Sequence, residues 1–278
     1  MVEITGLFTY PVKSCRGIAM TEAEIGPRGF LHDREFLVVD DADQFLTQRT
    51  APDLATVDIS TTPSGFVLTA DAIAQELHLP LNGNDKVRGA GVQRHVTIFN
   101  DQMLADDVGD DAAEWFSAVL HRRCRVVRIG AASSRKVPPH RVTAAPEISF
   151  TDAFPTFLAS EESLADLNSR LAVTVPMNRF RPNIVVRGCA PYEENTWESI
   201  RVNDVILGCA APCLRCIVTT TDQETGKRES PEPLRTLATY RRGADGTGVI
   251  FGVYLVHSGT GKLRVGDCLV SQVATARL

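Results

Sequence analysis

Residues 34–48, REFLVVDDADQFLTQ, set two apolar runs on either side of the polar DDADQ. Short acidic and amide side chains bond back to their own backbone and favour turns, so the stretch reads as a β-hairpin. The pattern returns at 57–70, VDISTTPSGFVLTA, around TPSG, and at 95–109, HVTIFNDQMLADDVG, around ND. Upstream, VEITGLFTYPV (2–12) alternates and is rich in β formers. Several short strands at this spacing predict a barrel or sandwich in the first hundred residues.

Beyond them the pattern becomes mixed. DDAAEWFSAVLH (110–121) places acids ahead of Trp115, Phe116, Val119 and Leu120, an amphipathic helix with favourable N-terminal charge. CRVVRIG (124–130) returns to strand. AASSRKVPPHRVTAAPEIS (131–149) has no period and reads as a long loop or domain link. In SEESLADLNSRL (160–171), Ser160 is an N-cap and Leu164, Leu167 and Leu171 share one helix face. NIVVRG (183–188) and ESIRVNDVILGCA (198–210) read as strands, the second folded at Asn203-Asp204. Pro233 opens a helix over LRTLATYRR, and the strands GVIFGVYLVHSG and KLRVGDCLVSQ close the chain. The fold class expected is α+β, mainly β, with a barrel-like unit over 1–128 and a second barrel with peripheral helices over 129–278.

The chain has 278 residues, 44% apolar and 23% charged, enough for two cores. Its net charge of -5 disfavours long polyanions such as nucleic acid as partners. No stretch approaches the ~20 apolar residues of a membrane helix, and the N-terminus does not read as a signal peptide. A cytoplasmic monomer is the expectation. The seven cysteines, an odd number, argue against a disulfide framework.

Two of them, Cys213 and Cys216 in APCLRCIVTTTDQETG (211–226), sit two residues apart around Leu214 and Arg215. They could be packed hydrophobes. Zinc would need four ligands, and only Cys209 or Cys189 could join the pair. A redox pair would open a helix, whereas the β-branched residues that follow disfavour one. An iron–sulfur site of plant type would need a different spacing from Cys209. A single thiolate ligand to a metal held mainly by something else remains, with Arg215 favouring the thiolate. Such a cofactor, bearing its own sulfurs and a phosphate, would need cations. Lys13, Ser14 and Arg16 in YPVKSCRG, Arg34 in HDREF, and Arg179 and Arg181 in RFRPNIVV could supply them.

These segments together carry a resemblance. YPVKSCRG (10–17), HDREFLVV (32–39), SEESLADLNSRL (160–171), NRFRPNIVVRGC (178–189), PCLRCIVTTTDQETG (212–226), EPLRTLATYR (232–241), FGVY (251–254) and LRVGD (263–267) resemble the MOSC superfamily. Within it, the chain is similar to proteins with an N-terminal β-barrel domain, the amidoxime-reducing components and the bacterial relatives that detoxify N-hydroxylated bases. The similarity runs nearly end to end.

The resemblance implies a molybdenum cofactor (Mo-molybdopterin) between two domains, with Cys216 as the metal ligand and Cys213 and Cys189 not ligands. It carries cofactor contacts onto Lys13, Ser14, Arg34, Asp152, Ala153, Arg181, Asn183, Leu214, Arg215 and Tyr254. It implies a molybdenum-dependent oxidoreductase that reduces small N-oxygenated substrates such as amidoximes and hydroxylamines. Electrons would come from a separate donor protein of ferredoxin, flavin or b-type cytochrome kind, since no membrane segment or fused iron–sulfur domain is expected. The alternative is a non-catalytic carrier of the cofactor or of sulfur; a third is a metal-free pocket for another phosphate ligand. No histidine is well placed by sequence as proton donor, with His32, beside Arg34, the nearest candidate.

Overall fold

The computed structural model describes residues 1–81, 88–137, 146–243, 246 and 248–273. Residues 138–145 of the Pro- and Ser-rich stretch and the last five residues lie outside them. Among the described residues, no helix is long and apolar enough to cross a membrane.

The predicted hairpins form. Phe36–Val39 turns back so that Val39 bridges Phe45, with the Asp40 carboxylate accepting from the backbone of Ala42 and Gln44. Asp58–Thr62 pairs with Gly65–Ala70, and Gln93–Ile98 with Asp101–Asp107. The second of these turns on Phe99-Asn100, one residue earlier than the Asn-Asp pair expected from sequence. Two sheets, one of Phe36–Val39, Arg125–Arg128, Asp101–Asp107 and Gln93–Ile98, the other of Asp58–Thr62, Gly65–Ala70 and Ile73–Pro80, make up most of the first half. A core including Phe36, Val38, Leu54, Phe66 and Leu68 lies between them, closed by Trp115 and Phe116 of the helix Asp110–Val119.

The second half closes a barrel. Around the ring run Ile184–Arg187, Thr156–Ser160, Val249–His257, Val205–Arg215, Trp197–Val202, Cys268–Val273 and Val2–Thr9, the last pairing back onto Ile184–Arg187. A closed sheet has no edge and so no unpaired backbone. Its interior is aliphatic, with Ile4, Leu7, Leu158, Ile184, Ile200, Leu207, Val253 and Leu255 buried. One barrel strand thus comes from the extreme N-terminus. Glu22–Gly26 also leaves the first half and pairs with Gly261–Arg264. The halves are therefore laced together by strand pairings between residues as far apart in sequence as Val2 and Leu269.

Two local features aim the residues that matter below. Trp197–Val202 and Val205–Arg215 form the hairpin expected at Asn203-Asp204, with Asn203 in the left-handed region at φ 51°. Val205–Arg215 then loses register with Val249–His257 on either side of Ala211-Pro212. Proline has no N–H for the ladder, and a bulge there re-aims the residues that follow. The helix Glu161–Ser169 starts as predicted, with the Ser160 hydroxyl accepting from the Ser163 amide at 3.1 Å. Pro233 precedes only one helical turn, Leu234–Leu237.

Candidate functional site

A cleft opens between the two halves. It collects residues from seven separate segments. The first half supplies Lys13, Ser14, Arg34, Thr47 and Arg49; the second supplies Thr151, Asp152, Arg181, Asn183, Leu214, Arg215, Cys216 and Tyr254, with Phe154, Phe157, Phe180 and Val218 as apolar wall.

The bulged end of Val205–Arg215 separates the thiol pair. Cys213 turns inward and packs with Phe157 and Phe251. Cys216, where the strand gives way to the 3-10 turn Ile217–Thr220, lines the cleft and is partly exposed. Burial pushes the Cys213 thiol up, against the pull of Arg215, whose Nη1 donates to that sulfur at 2.7 Å. Among the described residues, no group of three or more histidine, cysteine or carboxylate side chains is placed to hold a metal ion by itself.

The cations are locked from behind. Lys13 Nζ donates to the carbonyl of Phe150 at 2.8 Å and is ion-paired with Asp152. Burial pulls the Lys13 ammonium down and Asp152 holds it back; burial would raise the Asp152 carboxyl, but Lys13, Arg49 and Arg34 together outweigh it and the net shift of Asp152 is downward. Arg34 binds the buried Asp33 at 2.5 Å and Asn183 Oδ1 at 3.1 Å. The Tyr10 ring lies between two guanidinium groups, Arg34 at 4.2 Å and Arg181 at 4.4 Å from its centroid. Arg181 gives one nitrogen to Gln223 at 3.2 Å. Its Nη2, like Arg215 Nε and Thr151 Oγ1, is buried without a hydrogen-bond partner among the described residues. Burial lowers Arg181 to about 10. A buried cation with an unused donor calls for an anion or acceptor in the cleft.

Ser14, Arg34 and Arg181 share a backbone signature, with φ of 74°, 50° and 58°. Left-handed backbone costs a residue with a Cβ roughly 1–2 kcal/mol, and such residues gather at functional sites. Tyr254 lines the opposite wall against Phe154, with ring centroids 5.0 Å apart. Burial, then Cys213 and Asp152, push its phenol well above the usual range, so it stays protonated.

Of the residues that the resemblance places at the site, the structure brings all into the cleft lining except Ala153, which packs against the small cluster of Val137, Ile148 and Phe154. Arg16 and Arg179 are not there: Arg16 pairs with Asp58 and Glu224, and Arg179 with Asp222. His32 is outside the lining as well, with Nδ1 3.2 Å from the Glu35 carboxylate. Sequence reasoning missed Arg49, whose Nη2 lies 3.4 Å from Cys216 Sγ. It also missed Gln48 and Gln223, which exchange amide hydrogen bonds of 2.9 and 3.0 Å across the seam. Gln48 also bonds the Ser14 carbonyl at 2.7 Å. Arg135 belongs with them: its guanidinium donates to the carbonyls of Ser149, Thr151 and Asp152 and so shapes the loop carrying the last two. An arginine in a Pro- and Ser-rich run gives no sequence signal of burial.

The MOSC N-terminal beta barrel domain family matches residues 1–123, and the MOSC domain family matches residues 145–270. The chain belongs to the MOSC proteins that carry this N-terminal barrel domain. It is 34% identical to the mitochondrial amidoxime reducing component 2 of Bos taurus over 97% of its own length and 83% of the relative's. It is 35% identical to the mitochondrial amidoxime-reducing component 1 of Mus musculus, over 95% of this chain and 80% of that one. The molybdenum cofactor sulfurase of Oryza sativa subsp. japonica is 29% identical over 91% of this chain, which spans 32% of that larger protein. These relationships support a molybdenum-cofactor-related function.

Proposed function

We propose that the protein binds the molybdenum cofactor in this cleft and reduces N-hydroxylated compounds: amidoximes, hydroxylamines or N-hydroxy bases. The observation that carries the reading is a partly exposed cysteine sulfur facing a cleft with five cationic side chains, Lys13, Arg34, Arg49, Arg181 and Arg215. The residues fit the group. Sulfur suits a soft metal, and the unpartnered donors of Thr151, Arg181 and Arg215 suit the oxygens of a phosphate-bearing pterin.

When bound, the cofactor supplies the two-electron chemistry that N–O reduction requires. Cys216 Sγ holds the metal. Arg181 and Arg215 hold the anionic end, and the Lys13–Asp152 pair fixes the adjoining wall. The Tyr254 hydroxyl holds a proton inside the cleft. Electrons come from a separate donor protein.

The test begins with metal analysis of protein from a host that makes the cofactor, beside Cys216→Ala. About one molybdenum per chain, lost in the variant, is expected. Turnover of benzamidoxime with an artificial donor, abolished by Cys216→Ala, follows. Likeness to a cofactor sulfurase gives the carrier reading its footing. A carrier would pass its cofactor to an apoenzyme and turn nothing over, which would overturn the reductase reading.

A further inference from the structure

Arg49 stands out because the first half of the chain delivers it onto a sulfur of the second. Its guanidinium donates through Nη2 to Cys216 Sγ at 3.4 Å. It is held for that contact from three sides. Its backbone N–H donates to Thr47 Oγ1 at 3.1 Å. Its carbonyl accepts from Arg228 Nη1 at 3.2 Å, and Arg228 is itself pinned by Nε to Thr221 Oγ1 at 2.8 Å. The guanidinium carbon lies 5.3 Å from the centroid of the Phe99 ring, which rests on Phe45 at 4.7 Å. Phe99 occupies the tip of the hairpin between Gln93–Ile98 and Asp101–Asp107, with φ 54°, so a strained turn presents the ring.

We propose that Arg49 is a positioning residue for the Cys216 sulfur, fixing its orientation and raising the reduction potential of a metal bound there. The inference rests on the reading that Cys216 is the metal ligand. A hydrogen bond and a positive charge at a ligand sulfur stabilise the more electron-rich, reduced metal, which moves the potential upward. The planar guanidinium can stack on a ring and donate in its plane at once; a lysine ammonium cannot do both.

The test compares cofactor-loaded wild type with Arg49→Ala, Arg49→Lys and Phe99→Leu. Molybdenum content, the paramagnetic resonance signal of the metal and its midpoint potential are read for each. In Arg49→Ala the metal is retained, the signal changes, and the one-electron reduction equilibrium falls about tenfold, a drop of ~59 mV. Arg49→Lys falls between the two, and Phe99→Leu shifts the same way by less. An unchanged potential and signal in metal-replete Arg49→Ala would sink the inference. So would wholesale loss of metal, which would make Arg49 an anchor for the cofactor instead. The two readings separate cleanly. If Cys216→Ala leaves the wild-type signal intact, the ligand assignment fails. If Cys216→Ala changes it and Arg49→Ala does not, only the role of Arg49 fails.

Discussion

At the scale of single residues, the cleft shows what three positions of separation can do. Cys213 and Cys216 belong to one strand end, yet one packs in an aromatic core and the other faces the cleft. Their chemistry must differ accordingly. Cys213→Ala removes a buried sulfur and the acceptor of Arg215 Nη1, so a stability loss of about 1–2 kcal/mol is expected. Chemical denaturation measures it, and metal analysis should find molybdenum unchanged. Molybdenum lost as completely as in Cys216→Ala would mean that the two thiols act as a pair. The left-handed backbone at Ser14, Arg34 and Arg181 belongs to this scale too. All three put a polar side chain into the cleft, and the hydrogen bonds around Asp33 and Gln48 hold the turns at Arg34 and Ser14.

At the scale of elements, the helix Glu161–Ser169 is tied to the short turn Glu193–Asn195 by a buried carboxylate. Glu194 accepts from Ser160 Oγ at 3.2 Å and from Ser163 Oγ at 2.8 Å, with no exposure to solvent. Burial raises this carboxyl, and the serine hydrogen bonds offset only part of the rise. The native state therefore holds this proton more tightly than the unfolded chain does. Stability falls as pH rises from about 4.3, the unfolded value, through the raised native value, and stays lower above it. Glu194→Gln carries no charge in either state and escapes the loss. Urea titrations at pH 4.5 and pH 8 should show the variant gaining on wild type as pH rises. Wild type gaining on the variant instead would mean that the carboxylate is the favoured native form.

For the whole molecule, the cleft belongs to neither half alone. Val2–Thr9 closes the barrel of the second half, and Gln48 and Gln223 bond across the seam. A ligand seated there stabilises both halves at once. At a free concentration of 100 times Kd it adds ≈ 2.7 kcal/mol, a rise in Tm of roughly 5 °C for a chain of this size. The two tryptophans report one half each, Trp115 in the first core and Trp197 against the barrel. Variants keeping one tryptophan apiece should show coincident melting and the same shift on cofactor loading. A shift seen by Trp197 alone would place the cofactor wholly within the second half.

The sequence by itself determined what depends on neighbours along the chain. The hairpin around Asp40, the turn at Asn203 and the Ser160 cap could be read directly, because alternation, turn residues and caps act within a few positions. The resemblance carried by YPVKSC, HDREF and LRC marked Cys216 and the residues gathered round it, with Ala153 packed outside the lining. Only the tertiary structure decided the rest. Arg49, Gln48 and Gln223 look like loop residues in sequence, since their partners lie far away along the chain, 175 positions for the Gln48–Gln223 pair. Arg16 and Arg179 look like cofactor cations, yet nearby carboxylates claim them. The direction of a side chain at a bulge, and the partner a buried charge finds, are set by packing between distant segments, which no local pattern encodes.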